Sequence, residues 1–360
     1  MGEKVLMKGN EAVAEAAIRA GCRLYFAYPI TPQSELIEYM AKMMPKNNGT
    51  FLQAESEVAA INMVYGAAGC GRRVMTSSSS PGISLKMEGI SYLAGANLPS
   101  VIVNVQRGGP GLGDIQPAQG DYFQATKGGG HGDYRLIVLA PSSVQEFADS
   151  ASDAFDLADK YRIPVMILSD GLLGQMMEPV EFKPAKTEEE LKKLDEQHLD
   201  WAMHQNQPEP NHHHHEINSL EIDPKELEKH VLRLEEKYKL IEKNEIRYEE
   251  YSVEEDNEIL CVAFGTASRI VKSAIDQLRE EGKKIGLIRP ITVWPYPYEA
   301  IEKALTENVK KVIVFELNLG QMVEDVRLAV NGKVPVEFMG KVGGVVFTPE
   351  EVKTKIEENL

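Results

Sequence analysis

Cysteine is scarce in this chain: Cys22, Cys70 and Cys261 are the only three in 360 residues. They stand far apart and form no C-x-x-C pair, so the chain alone cannot supply the thiolate set of an iron–sulfur cluster or the closely spaced ligands of a structural zinc. Reduced, buried thiols packed as small hydrophobes are expected at all three positions. Long apolar runs are also missing. No stretch approaches the roughly 18 uninterrupted apolar residues of a membrane helix. The opening MGEKVLMKGNEAVAEAA lacks the apolar core and small-residue cleavage site of a secretory leader, which points to the cytoplasm and away from the membrane. Positive charge is in deficit, with 39 Lys and Arg against 55 Asp and Glu and a net charge of -16. A nucleic-acid surface that tracks phosphates is therefore not expected. Neither G-x-S-x-G nor a P-loop motif occurs, which removes the commonest hydrolase nucleophile and the commonest triphosphate cradle.

What is present is the composition of a globular protein, 43% hydrophobic and 26% charged, in a chain long enough for two cores. Residues 1 to about 185 alternate helical patterns with short apolar runs: LYFAYP (24–29), RVMTSS (73–78), SVIVNVQ (100–106), RLIVLAP (135–141) and PVMILSD (164–170). Runs that are apolar on both faces suit parallel strands covered by helices on each side. Helices are predicted over 11–21 behind an Asn10 cap, and over 33–44, 56–69, 82–95 and 143–160. This is an α/β domain with a doubly wound parallel sheet. Residues 186–255 turn polar, with KTEEELKKLDEQ, then QNQPEPNHHHHE, then a second charged helix; strand signals vanish, and a helical excursion outside the core is predicted. Its tetrahistidine, His212 to His215, reads as a solvated loop whose deletion should leave activity intact. From 256 to 360 the alternation returns as a second, smaller α/β domain.

In open parallel sheets ligands bind beyond the carboxyl ends of the strands, so the segments leaving the apolar runs hold the candidate chemistry. YPITPQS (28–34) stiffens a strand-to-helix turn with Pro29 and Pro32 and presents Thr31 between them. In QAESEVAA (53–60), Ser56 suits a helix cap and Glu57 the first turn, where the helix dipole favours a carboxylate. Very apolar sequence follows, and carboxyls in apolar surroundings can exchange protons near neutrality. TSSSSPG (76–82) leaves a strand through small residues that permit close approach of a ligand to the backbone. QRGGPGLGD (106–114) carries Arg107 into a glycine-rich loop, where a guanidinium can grip a carboxylate. KGGGHGDY, from Lys127, places His131 in a second glycine loop. Each segment, taken alone, also reads as a turn, a cap or a solvated loop.

Taken together and in order, YPITPQSE, AESEVAA, VNVQRGGPGLGD and DYFQATKGGGHGDYRLIVLAP resemble the pyrimidine-binding subunit of 2-oxoacid:ferredoxin oxidoreductases, most closely the branched-chain, 2-oxoisovalerate type. AFGTASR (263–269), IRPITVWPYP (288–297) and VFELNLGQM (314–322) resemble that family's second domain, which is transketolase C-terminal-like. The resemblance spans nearly the whole chain outside the polar excursion. It implies a thiamine-diphosphate-binding fold over 1–185. It also implies that Glu57 hydrogen-bonds N1′ of the cofactor's aminopyrimidine, that Arg107 holds the substrate carboxylate and Thr31 the reacting oxygen region, and that Tyr28, Pro29, Ser78 and Ser79 lie beside the cofactor. No GDG motif of a Mg2+–diphosphate site occurs, so Mg2+, the diphosphate half-site and the iron–sulfur clusters are expected on partner subunits, with ferredoxin, coenzyme A and a 2-oxoacid as further partners. Action on 2-oxoglutarate would require an extra cation for the second carboxylate, for which Lys86, Lys127 and His131 are the candidates. An aryl pyruvate is a further substrate option. A non-catalytic interaction subunit is the alternative from another class.

Overall fold

The computed structural model describes residues 4–203 and 215–360. From the amino end run β1 (Lys4–Lys8), α1 (Gly9–Arg19), β2 (Leu24–Ala27), α2 (Ser34–Met43), β3 (Thr50–Gln53), α3 (Glu57–Gly69), β4 (Val74–Ser78), α4 (Ser80–Gly95), β5 (Ser100–Gln106), α5 (Tyr122–Thr126), β6 (Ile137–Leu139), α6 (Val144–Tyr161), β7 (Pro164–Asp170), α7 (Gly171–Gln175) and β8 (Met177–Glu181). Then come α8 (Glu188–Gln197), α9 (Pro224–Asn244), β9 (Tyr248–Tyr251), β10 (Ile259–Ala263), α10 (Gly265–Glu280), β11 (Ile285–Pro290), β12 (Thr292–Trp294), α11 (Tyr298–Ala304), β13 (Lys311–Glu316), α12 (Met322–Val330), β14 (Val336–Gly340) and α13 (Pro349–Glu357).

The first sheet has seven strands in the order β12-β6-β7-β5-β4-β2-β3. Its six strands from β6 to β3 run parallel, and every residue of β4, β5 and β7 is buried. That burial is why those runs read as continuously apolar: helices cover both faces, with α1 packed on α2 and α6, and α3 packed on α4. The second sheet, β14-β13-β10-β11-β9, is parallel apart from its edge strand β9. Caps sit where the chain supplies them: Ser56 Oγ accepts from Ala59 N, Ser143 Oγ from Glu146 N, and Asp170 from Leu172 N and Leu173 N.

Several expectations need correction. Asn10 is not a cap; it lies inside α1, and its Nδ2 donates to Pro32 O at 2.8 Å and Glu35 Oε2 at 3.0 Å, tying α1 to the 28–34 turn. The polar segment is not wholly external either. Leu234, Tyr238 and Ile241 share one face of α9 and are buried in the first core, where Tyr238 meets Trp294 edge-on. Strand β9, four residues reading YEEY, joins the second sheet antiparallel to β11, so a strand exists before residue 255. β12 comes from the second half of the chain yet extends the first sheet beside β6. Cys70 is exposed, whereas Cys22 and Cys261 are buried. Burial pushes the Cys22 thiol up to about 12, which leaves it a protonated hydrophobe. Of the histidine tract, His212 to His214 lie outside the described residues, and His215 Nδ1 lies 3.0 Å from Ala202 O.

Arg289 fastens the two halves. Its buried guanidinium on β11 donates to Glu146 of α6 at 2.7 and 2.9 Å and to Glu249 of β9 at 2.6 Å. Burial pushes the Glu146 carboxyl upward, but the Arg289 charge and the Ser142 N–H outweigh it and hold it below its usual range. At Glu249 burial is likewise outweighed, by Lys272 and Arg289. Depressed carboxyls contribute stability that is complete above their unfolded range and lost as pH falls through the folded one. Arg289→Met should therefore lower the unfolding free energy at pH 7 by about 1 to 2 kcal/mol, because it takes the counter-charge from Glu146, while Glu249 keeps Lys272 and both carboxylates stay partly open to water. Denaturation melts should show this as a drop of several degrees, shrinking once the pH falls below the ordinary carboxylate range.

Candidate active site

Because β2, β4, β5 and β7 are parallel, their carboxyl ends open on a single edge of the first sheet. That edge gathers the 28–34 turn, the Ser78–Ser80 turn, Arg107 and the start of α3. Glu57 is the first residue of α3, directly after its Ser56 cap, and is 7% exposed. Its carboxyl rests on the first turn of α4. A Cβ placed on Gly82 would lie 2.7 Å from Glu57 Oε1 and 2.1 Å from Ser78 Oγ, so only glycine lets the acid settle there. No hydrogen-bond donor reaches this carboxylate from the described residues. The Ser78 hydroxyl beside it is completely buried and also has no hydrogen-bond partner, and the hydroxyl of the next residue, Ser79, is likewise buried and unpartnered. The Ser78 hydroxyl is thus held out of water beside the Glu57 carboxyl with its bonding capacity unspent, a costly arrangement unless a ligand completes it.

Beneath them lies a second polar layer. Ser77 Oγ donates to Gln33 Oε1 and lies 2.5 Å from Tyr25 Oη, while Lys86 Nζ donates to Thr76 Oγ1 at 2.6 Å and to Ser77 O at 3.0 Å. Beside it, Asp121 accepts from Ser80 Oγ at 2.7 Å and from Asn104 Nδ2 at 2.8 Å. Burial raises the Asp121 carboxyl even against those two donors. Sequence reasoning did not single out Asp121, which occurs in an ordinary loop string, QGDYF; pairing with Ser80 across 41 residues leaves no local pattern.

Arg107 is 8% exposed, and its guanidinium faces two loops. Nη1 donates to Thr31 O at 3.0 Å and Nη2 to Leu112 O at 2.8 Å, whereas Nε is buried without a partner. The arginine thus staples the 28–34 turn to the glycine-rich loop. That loop closes through Asp114 N to Gly108 O at 3.0 Å, with Gly113 at positive φ, where a side chain would overlap the Gly108 carbonyl. Thr31 and Arg107 are therefore brought together, as are Glu57 and Ser78. Ser80, adjoining Ser79, links the two groups by accepting from Arg107 N at 3.1 Å. Tyr28 and Pro29 lie on the exposed rim of the same turn. The basic residues considered for a second substrate carboxylate are turned elsewhere: Lys86 to the inner layer, Lys127 to Asp325 at 2.5 Å, and His131 into an exposed loop.

Residues 15–253 match the family model of the thiamine-diphosphate-binding domain of pyruvate flavodoxin/ferredoxin oxidoreductase, and residues 257–352 match core domain II of pyruvate:ferredoxin oxidoreductase. The chain is 50% identical over 353 residues to the ketoisovalerate oxidoreductase subunit VorB of Methanothermobacter marburgensis, covering 98% of this chain and 97% of that one. It is 38% identical over 365 residues to the 2-oxoglutarate synthase subunit KorA of Methanocaldococcus jannaschii, covering 97% and 98%. Among solved structures it is similar to a 2-oxoglutarate:ferredoxin oxidoreductase from Magnetococcus marinus, with a TM-score of 0.84 and 28% identity; 99% of this chain is covered, and it spans 65% of that chain. With both of its α/β halves accounted for in this way, the chain belongs to the pyruvate flavodoxin/ferredoxin oxidoreductase family, bearing that family's thiamine-diphosphate-binding domain followed by its core domain II.

Proposed function

We propose that this chain is the pyrimidine-side subunit of a cytoplasmic 2-oxoacid:ferredoxin oxidoreductase. In this reading the enzyme decarboxylates a branched-chain 2-oxoacid oxidatively with coenzyme A, giving acyl-CoA, CO2 and reduced ferredoxin. The observation that carries it is the Glu57 carboxyl, seated on Gly82 beside the unbonded Ser78 hydroxyl. A buried acid and a spare hydroxyl at a glycine-floored notch fit the nitrogen-bearing edge of an aminopyrimidine ring. Thiamine diphosphate, when bound, supplies the electron sink that lets a 2-oxoacid lose CO2.

The protein groups would do the rest. Glu57 would share a proton with N1′ of the ring, a role that needs an acid shielded from water. Ser78 and Ser79 would meet the ring's polar edge. Arg107 spends two N–H groups on the Thr31 and Leu112 carbonyls and keeps others, including the unpartnered Nε, for the substrate carboxylate. Its grip on both loops holds Thr31 toward the reacting oxygen region and preorganises the pocket. We assign the Mg2+–diphosphate half-site and the iron–sulfur clusters to partner subunits. Three dispersed cysteines cannot carry a cluster, and the described residues contain no group of three or more His, Cys, Asp or Glu able to hold a metal. None of the helices among those residues is long and apolar enough to cross a membrane.

Two observations favour a branched-chain substrate over 2-oxoglutarate. Identity is higher to the ketoisovalerate relative, and Lys86 and Lys127 are committed to other partners, so neither is free to bind a second carboxylate. With the complex assembled, kcat/KM should be higher for 2-oxoisovalerate than for 2-oxoglutarate or indolepyruvate; equal or reversed preference would remove the substrate assignment. Glu57→Ala should cut turnover by a factor on the order of 10² or more while leaving assembly unchanged, given what general acid–base groups contribute. Parental turnover in that variant would point to a non-catalytic subunit.

A further inference from the structure

Asp121 has no part in the mechanism above, yet its carboxyl reaches the site while its neighbours in the chain do not. The residues on either side of it are tied to the second domain. Gln119 Nε2 donates to Phe264 O at 2.8 Å, Gln321 Nε2 donates to Gly120 O at 2.8 Å, Tyr122 Oη donates to Asp325 Oδ2 at 2.6 Å, and Phe123 N donates to Gln321 Oε1 at 2.7 Å. Asp121 bonds instead to the first sheet and to α4. Its N–H donates to Gln106 Oε1 at 3.0 Å, and its Oδ2 accepts from Asn104 Nδ2 at 2.8 Å and from Ser80 Oγ at 2.7 Å.

The Ser80 hydroxyl has one proton and two acceptors in reach, Asp121 Oδ2 at 2.7 Å and Arg107 O at 3.4 Å. The carboxylate, nearer and charged, takes it. With the proton directed there, a lone pair on Ser80 Oγ is left for the Arg107 N–H at 3.1 Å. Arg107 is thus held twice: its guanidinium by the Thr31 and Leu112 carbonyls, and its backbone by Asp121 through Ser80. A carboxylate beside the first turn of a helix is also favoured by the helix dipole, but an acid adjoining Ser80 in sequence would meet that need. Here the acid comes from 41 residues away, on a segment whose other residues are bonded to the second domain.

We infer that Asp121 is a positioning residue through which the second domain sets Arg107: its carboxyl fixes the Ser80 hydroxyl, and that hydroxyl fixes the Arg107 backbone where the chain leaves β5. This rests on the reading of Arg107 as the group that holds the substrate carboxylate. Loss of the Asp121 carboxyl frees the Ser80 hydroxyl to turn toward Arg107 O. Both donors converge on Oδ2, and Oδ1 receives no bond from the described residues. An asparagine can therefore keep its oxygen on Ser80 and Asn104 with its amine group turned away.

Two measurements test the link. In the full chain without cofactor, hydrogen exchange at the Arg107 amide should quicken by about tenfold in D121A and in S80A and stay near parental in D121N, given the worth of a hydrogen bond that ends on a charged group. Parental exchange in either alanine variant would overturn the inference. S80A leaves the bond between Asp121 and Asn104 in place, so it breaks the same link from its other end without uncovering Asn104. In the assembled complex with thiamine diphosphate, D121A should raise KM for 2-oxoisovalerate by about tenfold, with the smaller share of the loss in kcat, and D121N should recover most of it. Added to S80A, D121A should cost nothing further, because both act on one link. Losses that multiply in the double variant, or an asparagine variant as poor as the alanine one, would also overturn the inference. Should R107A keep the parental KM, the reading of Arg107 fails, and the exchange measurement still decides whether Asp121 holds its backbone through Ser80.

Discussion

Parallel strands all finish on the same side of their sheet, and the chain that leaves β2, β4, β5 and β7 must satisfy its polar groups there together. In this molecule that edge is built in two layers. The inner one, Tyr25, Gln33, Thr76, Ser77 and Lys86, is bonded within itself; the outer one, Glu57, Ser78, Ser79 and the Nε of Arg107, retains unused bonding capacity. The bonded layer provides rigidity, and the unbonded layer provides a place for a ligand to replace water. Small residues make the arrangement possible, because any side chain at position 82 would occupy the space taken by the carboxyl.

The second half of the chain steadies the loops that frame this edge. Gln119, at the foot of the glycine-rich segment, donates to Phe264 O at 2.8 Å and accepts from Leu317 N at 3.0 Å, while Asn318 donates to the Gln119 carbonyl at 2.8 Å. Tyr122 reaches Asp325 at 2.6 Å, and Lys127 pairs with the same acid. The segment between Arg107 and Lys127 is thus anchored on both sides, by the first sheet at one end and by the second domain at the other. Arg289 adds a charged fastening between β11, α6 and β9. Misplacing either anchor would move Arg107 and Asp121, and small misplacements near a reacting centre are expensive in rate.

Much of the first domain was legible because its strands are buried on both faces and its helices carry caps. SVIVNVQ and PVMILSD were read with the bounds they have in the structure, and the Ser56 cap marks the start of α3. Edge elements were less legible. β3 is largely exposed and β9 reads YEEY, so neither carries an apolar run, and both exist because a neighbouring strand offers its free edge. Asn10 looked like a cap because caps and buried bridging amides use the same residue type; only the approach of Pro32 and Glu35 distinguishes them. The polar excursion was read as external from its charge, yet three residues at helical spacing were enough to bring α9 into the core.

By itself, then, the sequence determined which segments are strands covered on both sides, where the catalytic-type residues leave those strands, and which family the ordered set of motifs resembles, since all of these are written in local composition and order. Tertiary structure alone decided that Glu57 seats on Gly82, that Arg107 grips the carbonyl of Thr31, that Lys86 turns inward and that Asp121 joins the edge. Those are contacts between residues distant in the chain, set by the approach of packed elements, and no local pattern encodes a distance across a sheet.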